Sequence, residues 1–338
     1  MNNPESSSIS SREITEARKL LAKYLVPTRL VPAESLGAAA SAGVWLKLET
    51  ENPTASFKVR GALNALGQRL RRGPLAGVVT SSTGNHGAAV AYAAREMRVS
   101  ARIYLPLNPN PVKRATIAGL GAEIVEVGRD LEESRAHAAR FSAESGWPLI
   151  VDVDDPDIAA GAATIGAEIV EQLSDVDVII VPVGDSNLIR GVATAAKAAR
   201  AEVRVIGVQA AGAPAYYRSW KARRAMSTGT VDTIADGLAT RTTTESNVKQ
   251  LAELVDEMRL VTDDEILHAI QRLLLNEHVV AEPAGAAATA ALLKVGSEFA
   301  GRKIVLLVTG ANLAPKILRR AASASAPASA SSPAPQHL

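Results

Sequence analysis

The chain has 338 residues and a formal net charge of +2, and 47% of its residues are hydrophobic while only 3% are aromatic. This small charge gives no reason to expect nucleic acid or an anionic membrane as a partner. The absence of cysteine excludes disulfides, thiolate metal sites and a cysteine nucleophile. No apolar run approaches the roughly 20 residues of a membrane span, and the polar N-terminus does not resemble a secretory signal. We therefore expect a cytoplasmic protein.

The predicted elements alternate between strand and helix through most of the chain. An amphipathic helix at 12–24 and a short extended segment at 27–30 precede a strand at 44–49, and the stretch 53–62 leads into a run with helical periodicity. The further strands are predicted at 77–81, 101–105, 123–127, 150–151, 176–182, 204–209 and 303–309. The further helices are predicted at 84–94, 112–119, 131–145, 159–173, 188–200, 263–276 and 283–293. Such alternation is typical of parallel sheets covered by helices on both faces.

Lys58 is predicted to lie near the start of the helix that follows the strand 44–49. A helix N-terminus carries partial positive charge, so a cation there is disfavoured unless an anion lies nearby or the amine becomes an imine. A desolvated, neutral lysine amine is a nucleophile suited to Schiff-base formation. The plain alternative is a surface lysine on an amphipathic helix.

Four loops of small and polar residues follow predicted strands, at 54–60, 81–87, 184–187 and 309–312. Ligands of open parallel sheets bind at the carboxyl ends of the strands. The loop 81–87 can present backbone amides and short polar side chains to a carboxylate, and the loop 184–188 suits a phosphate. Turns of this composition are common, but two such loops together with a lysine at a helix start predict a binding site.

The run 56–62, which reads SFKVRGA, and the loop 81–87 closely resemble the fold-type II pyridoxal-phosphate enzymes, within them the threonine/serine dehydratase and serine racemase branch. The likeness spans residues 15–318, with further matching stretches at 110–113, 154–161, 234–237, 281–285 and 309–312. It implies an α/β fold of the tryptophan synthase β-like type, with two lobes that each hold a mainly parallel sheet. It also implies pyridoxal 5′-phosphate as cofactor, an amino acid as substrate, and a homodimer.

The resemblance and the composition together give a domain division. We expect a discontinuous large cofactor-binding domain at 13–74 and 151–320, and a small domain at 75–150. The first 12 residues and the Ala/Ser/Pro-rich tail at 321–338 are expected to be disordered.

The resemblance implies a role for each matching residue. Lys58 should carry the cofactor as a Schiff base and then remove the substrate α-proton. The expected cofactor-binding residues are Phe57 against the ring, Asn85 at the 3-hydroxyl oxygen, Thr309 at the pyridine nitrogen, and Gly184, Asp185, Ser186, Asn187 and Leu188 at the phosphate. The substrate carboxylate is expected at Ser82, Thr83, Asn85 and His86. A hydroxyl such as that of Thr309 cannot keep the pyridine nitrogen protonated as a carboxylate would, which favours β-elimination.

The implied reaction converts a β-hydroxy-α-amino acid of the threonine, serine or 3-hydroxyaspartate type into a 2-oxo acid and ammonia. A racemase or a β-replacement enzyme of the same fold is an alternative. The stretch 208–224 resembles dehydratases of hydroxyectoine breakdown, which is a further alternative for the substrate. A regulator that binds cofactor or amino acid without turnover is the non-enzymatic alternative.

Several positions depart from the pattern of the branch. The phosphate loop of the dehydratases usually has four consecutive glycines, where this chain has Gly184 and then Asp, Ser and Asn. A carboxylate beside a phosphate is repulsive, so we expect Asp185 to point away or to accept hydrogen bonds from loop amides. Thr83 replaces the serine acid/base of the racemase, which argues against racemisation because threonine is bulkier and stiffer. Gln209 and Ala215 replace the two carboxylates of the racemase's divalent-cation site, so we expect no metal site of that kind.

Other polar residues permit two interpretations. Arg60 can form a structural ion pair or contact the ligand, and Asp236 and Glu282 can brace loops or belong to the site. His86 can cap its helix or bind the substrate carboxylate. The histidines without partners at metal-ligand spacing are expected to be packing or surface residues: His137, His268 and His278.

Overall fold

The computed structural model describes residues 9–109 and 111–324, and in this part of the chain nine strands form two separate sheets. The strands are β1 (Leu30–Pro32), β2 (Gly43–Leu48), β3 (Gly77–Ser81), β4 (Ser100–Leu105), β5 (Glu123–Glu126), β6 (Val178–Pro182), β7 (Arg204–Ala210), β8 (Glu257–Val261) and β9 (Lys303–Val308). The α-helices are α1 (Ser11–Leu21), α2 (Glu34–Ala40), α3 (Lys58–Arg72), α4 (Asn85–Glu96), α5 (Pro111–Gly119), α6 (Leu131–Ser145), α7 (Pro156–Gln172), α8 (Asn187–Ala199), α9 (Ala215–Ala222), α10 (Glu245–Leu254), α11 (Asp263–Asn276), α12 (Pro283–Val295) and α13 (Pro315–Ala322). None of the described helices is both long and apolar enough to cross a membrane.

The larger sheet has six strands in the order β1-β2-β9-β6-β7-β8. Only β1 runs antiparallel to its neighbour, and the other pairs are parallel. Every residue of β6 is buried, as expected for a central parallel strand with helices on both faces. Side chains of α2, α11 and α12 form the core on one face, and those of α7, α8 and α9 form the core on the other.

The smaller sheet has three parallel strands in the order β3-β4-β5. Helices α3 and α4 pack on one side of it, and Ala138 and Phe141 of α6 pack on the other. A single bridge joins Val79 of β3 to Leu149. The predicted strand at 150–151 is therefore reduced to a bridge at residue 149, and it extends the small sheet.

Helix α3 packs on α4, which covers the small sheet, and on α7, which covers the large sheet. It therefore lies between the two sheets. Where α3 and α7 come closest, glycine backbone lies in the contact. A Cβ atom at Gly161 would lie 2.6 Å from the carbonyl oxygen of Arg60, and one at Gly61 would lie 3.0 Å from Ile158. Helices that approach so closely are held at a fixed separation, which fixes the start of α3 relative to the large sheet.

Most predicted elements lie within a few residues of the observed ones, but five were missed: α2, α9, α10, β8 and α13. Both terminal predictions need correction. Helix α1 begins at Ser11, where Ser10 and Glu13 form a capping box, so the disorder predicted through residue 12 is too long. Helix α13 reaches Ala322 and buries Ala321, inside the predicted tail. Residues 1–8 and 325–338 lie outside the described part of the chain, and the domain boundaries stay a prediction.

Candidate active site

The site is built where strands of the large sheet end and helices begin. Lys58 is the first residue of α3, as predicted. The segment before it is tied to the end of β9, because the Phe57 amide donates to the Thr309 carbonyl at 3.0 Å and Ser56 pairs with Gly310. Thr309 itself is buried. The backbone of the strand ends thus places Lys58, Phe57 and Thr309 side by side.

The amine of Lys58 lies between two carboxylates. Its Nζ is 2.5 Å from Oδ2 of Asp152 and 2.9 Å from Oδ2 of Asp185, and it lies 4.9 Å from the ring centroid of Phe57. Burial opposes the charge on Lys58, but the two carboxylates outweigh it and raise the pKa of this amine above its ordinary value. The side chain is only 14% exposed. The lysine is therefore an ion-paired ammonium at the edge of the core.

The two carboxylates are not equivalent. Burial opposes the charge on Asp152, but Lys58 and His86 lower its pKa well below the usual range. Burial and the neighbouring Asp152 raise the pKa of Asp185, against the pull of Lys58. Asp152 is consequently the more persistent anion, and Asp185 is the one that accepts a proton more readily.

The predicted phosphate loop follows β6 and opens α8. Ser186 has a φ of +77°, and Oδ1 of Asp185 accepts a hydrogen bond from the Asn187 amide at 3.0 Å. A Cβ atom at residue 184 would lie 2.2 Å from the carbonyl oxygen of Gly237, so only glycine fits there. Asn187 and Leu188 are buried. The start of α8 offers backbone amides that have no partner within the helix, which is a suitable place for an anion.

The predicted carboxylate loop opens α4. The Ser82 hydroxyl accepts a hydrogen bond from the Gly84 amide at 3.3 Å, and Thr83 is partly exposed beside it. Asn85 is held from both ends, since its Nδ2 donates to Oε1 of Glu282 at 2.7 Å and its Oδ1 accepts from Asn312 at 2.7 Å. In the described residues the polar contacts of Lys58 do not extend to Ser82 or Thr83, so their place in the site stays a prediction.

Glu282 is the carboxyl group that holds Asn85. Burial raises the pKa of Glu282 to about 7, although its hydrogen bond with Asn85 and the charge of Lys113 pull the other way. The group is therefore about half protonated near neutral pH. Asp236, the other acid with two interpretations, forms an exposed ion pair with Lys113 at 2.7 Å. Glu282 thus contacts the predicted site residue Asn85, whereas Asp236 forms an ion pair that braces its loop.

His86 is buried next to Asp152. Its Nε2 lies 3.2 Å from the carbonyl oxygen of Ile150, and its Nδ1 lies 3.6 Å from Oδ1 of Asp152. Because a carbonyl oxygen only accepts, Nε2 carries the hydrogen in this contact. In the described structure neither Nδ1 of His86 nor Oδ1 of Asp152 has a hydrogen-bond partner. These two atoms therefore face each other with their hydrogen-bonding capacity unused.

Two residues at the site were missed by the sequence reasoning: Asp152 and Arg190. The signal for Asp152 was the acidic run that begins directly after the predicted strand 150–151. Arg190 is 5% exposed, and its guanidinium donates to Gln250 at 2.8 Å and to Oδ1 of Asn187. An arginine on the apolar helix that follows a phosphate loop is an equally visible signal, because arginine is rarely buried unless its guanidinium has polar partners.

Arg60 turns out to have a structural role. Its guanidinium donates to Oε2 of Glu49 at 2.7 Å and to Oε1 of Glu168 at 2.5 Å, while Lys47 donates to Oε2 of Glu168 at 2.6 Å. All four side chains are buried. We call Lys47, Glu49, Arg60 and Glu168 the buried charge network. These buried ion pairs favour the structural interpretation of Arg60.

Comparison with known proteins agrees with this geometry. Residues 21–310 match the family model described as pyridoxal-phosphate dependent enzyme. The L-threonine ammonia-lyase of Thermotoga maritima is 35% identical over 305 residues, which cover 90% of this chain and 76% of that relative. Maize serine racemase superposes with a TM-score of 0.87 at 30% identity, over 93% of this chain and 97% of that one. Threonine deaminase isoform 2 of Solanum lycopersicum, in its processed form, gives 0.86 at 30% identity over 95% of each chain.

The chain belongs to the family of pyridoxal-phosphate dependent enzymes. Within that family it lies in the threonine dehydratase-like branch of fold type II, which confirms the resemblance and the fold class predicted from the sequence. Pyridoxal phosphate is its cofactor. The described residues fit this group: an amine at the start of α3, an aromatic ring beside it, a glycine-only position in the loop before α8, and backbone amides at that helix start.

Proposed function

We propose that Lys58 is the residue through which this ammonia-lyase binds its cofactor as a Schiff base and eliminates the β-hydroxyl group of a hydroxy amino acid. The enzyme dehydrates hydroxy amino acids in a pyridoxal-phosphate-dependent reaction. The observation that carries the assignment to Lys58 is its position at the start of α3, with its amine 2.9 Å from the carboxylate of the phosphate loop. The remaining predicted site residues lie on the loops that surround this amine.

When bound, pyridoxal phosphate supplies an electron sink for negative charge that develops at the substrate Cα. Lys58 then acts as the base at Cα. Asp152 and Asp185 favour the protonated amine, so they favour the proton transfer to Nζ that the elimination requires. The proton held at Nζ is available for the departing β-hydroxyl group, which leaves as water. Hydrolysis of the released enamine gives the 2-oxo acid and ammonia.

The surrounding residues bind and orient in this proposal. The amides at the start of α8, from Gly184 to Leu188, would hold the phosphate, and Phe57 would pack against the ring. Asn85 would contact the 3-hydroxyl oxygen, and its orientation is fixed by its hydrogen bonds with Glu282 and Asn312. Thr309 would bind the pyridine nitrogen. The substrate carboxylate would bind at the start of α4, to Ser82, Thr83, Asn85 and His86.

The setting of this activity is part of the proposal. The substrate is a β-hydroxy-α-amino acid of the threonine, serine or 3-hydroxyaspartate type, and the enzyme works as a cytoplasmic homodimer. The two lobes are the large domain at 13–74 and 151–320 and the small domain at 75–150. The separation of the two sheets, with β3, β4 and β5 all inside the small lobe, supports this division.

The test is release of 2-oxo acid from L-threonine, L-serine, threo- and erythro-3-hydroxyaspartate and phenylserine, with pyridoxal phosphate added. We expect release from at least one of them and loss of both turnover and imine absorbance in Lys58→Ala. Retention of absorbance and turnover by Lys58→Ala would reject the assignment of Lys58. If no substrate releases 2-oxo acid but α-deuterium is lost, the racemase alternative is favoured, which the similarity to maize serine racemase also makes worth testing.

A further inference from the structure

The loop between β6 and α8 is where the proposed function places the phosphate of the cofactor, and Asp185 lies in the middle of it. Its carboxylate is folded back onto the loop instead of pointing into solvent. Oδ1 accepts the hydrogen bond of the Asn187 amide at 3.0 Å, and Oδ2 accepts from Nζ of Lys58 at 2.9 Å. One side chain thus binds both the amide at the helix start and the amine that reacts with the cofactor.

An aspartate in this position acts as an internal anion. A carboxylate and a phosphate both seek the backbone amides and partial positive charge at a helix start. Because the Asp185 carboxylate already accepts the hydrogen bond of one of these amides, a phosphate gains fewer hydrogen bonds there as long as the carboxylate stays in place. Two anions at one helix start also repel each other, and the repulsion is strong where water is excluded.

The nearby charges do not remove this conflict. Arg190, one turn into α8, is the cation behind the loop, and it is buried against the neutral side chains of Gln250 and Asn187. Asp185 and Arg190 attract each other electrostatically, but in the described residues no ion pair joins them, and Nε of Arg190 has no hydrogen-bond partner. Lys58 ceases to be a full ammonium when it forms an imine. The phosphate therefore adds negative charge to a site where Asp185 already draws on Lys58 and attracts Arg190.

We infer that Asp185 competes with the cofactor phosphate for the start of α8, so that this enzyme gains less from the phosphate group than the fold otherwise allows. The inference rests on the proposed function, because it assumes that the loop before α8 receives the phosphate. It predicts a measurable signature. The preference for pyridoxal phosphate over pyridoxal, which lacks the phosphate, is small in the natural protein and grows when Asp185 loses its charge.

The experiment measures equilibrium binding of pyridoxal phosphate and of pyridoxal to the full chain freed of cofactor, by imine absorbance. In Asp185→Asn, which keeps the side-chain acceptor for the Asn187 amide, we expect the affinity ratio of the two aldehydes to rise by about tenfold or more. Asp152→Asn is the matched control, because the Asp152 carboxylate contacts Lys58, while the side-chain amide of Asn187 donates only to the backbone carbonyl of Asp152, which the substitution keeps. It should change both affinities alike. Asp154→Asn removes a nearby charge that makes no ion pair with Lys58 and should leave the ratio unchanged.

An unchanged ratio in Asp185→Asn would mean that Asp185 acts only through Lys58, and a lower ratio would mean that it helps to hold the phosphate; either result overturns the inference. Inorganic phosphate gives a readout that does not depend on imine formation. It should raise the melting temperature of cofactor-free Asp185→Asn more than that of the natural protein, and equal shifts would again overturn the inference. If neither aldehyde forms an imine with any variant, the assignment of Lys58 fails, while the phosphate measurement still decides the role of Asp185.

Discussion

Two groups of charges lie at the start of α3, and they differ in how completely they are matched. Arg60 belongs to the buried charge network, where two cations meet two carboxylates and each is bonded to side chains from distant parts of the chain. Lys58, two residues earlier, meets two carboxylates with one ammonium at the edge of solvent. Atoms beside it, Nδ1 of His86 and Oδ1 of Asp152, keep unused hydrogen-bonding capacity.

The difference shows which charges hold the fold and which serve chemistry. In the buried charge network two cations meet two carboxylates, and burial lowers the pKa of Lys47 against the pull of Glu168 and Glu49. In the cluster around Lys58 there is one carboxylate in excess, and the two carboxylates differ in how readily they accept a proton. Groups with unmatched charge and shifted pKa values at a helix start are typical of a reactive site.

The largest effect is expected from Arg60→Met, which tests the structural half of this comparison. Removing the guanidinium leaves Glu49 and Glu168 buried with Lys47 as their only remaining cation in the buried charge network. We expect a loss of about 3–5 kcal/mol in the free energy of unfolding, measured by chemical denaturation. Lys58→Met is the matched control and should cost far less, because its carboxylates are partly exposed and one of them can take up a proton. Equal losses in the two variants would remove the distinction between the two groups.

A smaller effect is expected from Asp152→Asn, which tests the chemical half. Removing this anion lowers the pKa of Lys58, so the amine becomes neutral at a lower pH and forms an imine there. The midpoint of imine formation between pyridoxal and the cofactor-free protein should move down by about one pH unit or more. Absorbance measured across a pH series checks this, with Asp154→Asn as control. A midpoint that stays in place would show that Asp152 does not govern the amine.

The smallest effect is expected from Glu282→Gln. This variant tests whether the carboxyl group that is bonded to Asn85 also has a shifted pKa. The pKa of Glu282 is raised from 4.5 to about 7 in the folded protein. Protonation therefore stabilises the fold, and this contribution is full below pH 4.5 and is lost as the pH rises through about 7. Glutamine mimics the protonated form. We subtract the melting temperature of the natural protein from that of the variant at each pH. This difference should be larger at pH 8 than at pH 5 by about 2 °C or more.

The control for this measurement is Glu253→Gln, which changes an exposed glutamate on α10. It should show the same difference from the natural protein at both pH values. A flat difference for Glu282→Gln as well would contradict the raised pKa and would leave Glu282 as a plain hydrogen-bond acceptor for Asn85.

The sequence was sufficient for what depends on neighbours along the chain. The position of Lys58 followed from a strand, a short polar turn and helical periodicity, and β3 and α6 were predicted with their observed ends. Two of the missed elements lack such signals: α10 buries only a few apolar side chains, and β8 is only partly buried. Tertiary contacts give these segments their regular structure, and no local pattern reports them.

The site was predictable in part for the same reason. Loops that end strands could be placed at one edge of a sheet, so Lys58 and Asp185 could be expected near each other. The contact between Lys58 and Asp152 spans 94 positions, and that between Arg60 and Glu168 spans 108. Deciding which carboxylate meets which cation requires the packing of α3 against α7, which sequence patterns do not contain.

The crossing of α3 and α7 at Gly61 and Gly161 has a consequence for engineering this protein. Because Gly161 packs against the backbone of Arg60 and Gly61, while Gly61 packs against Ile158, these few residues set the spacing at this point. Changes to the substrate pocket that leave them in place should therefore keep the position of the reactive amine. The crossing itself does not tolerate a larger residue. A methyl group added at Gly161 would push the two helices apart and move Lys58 away from the loops around it.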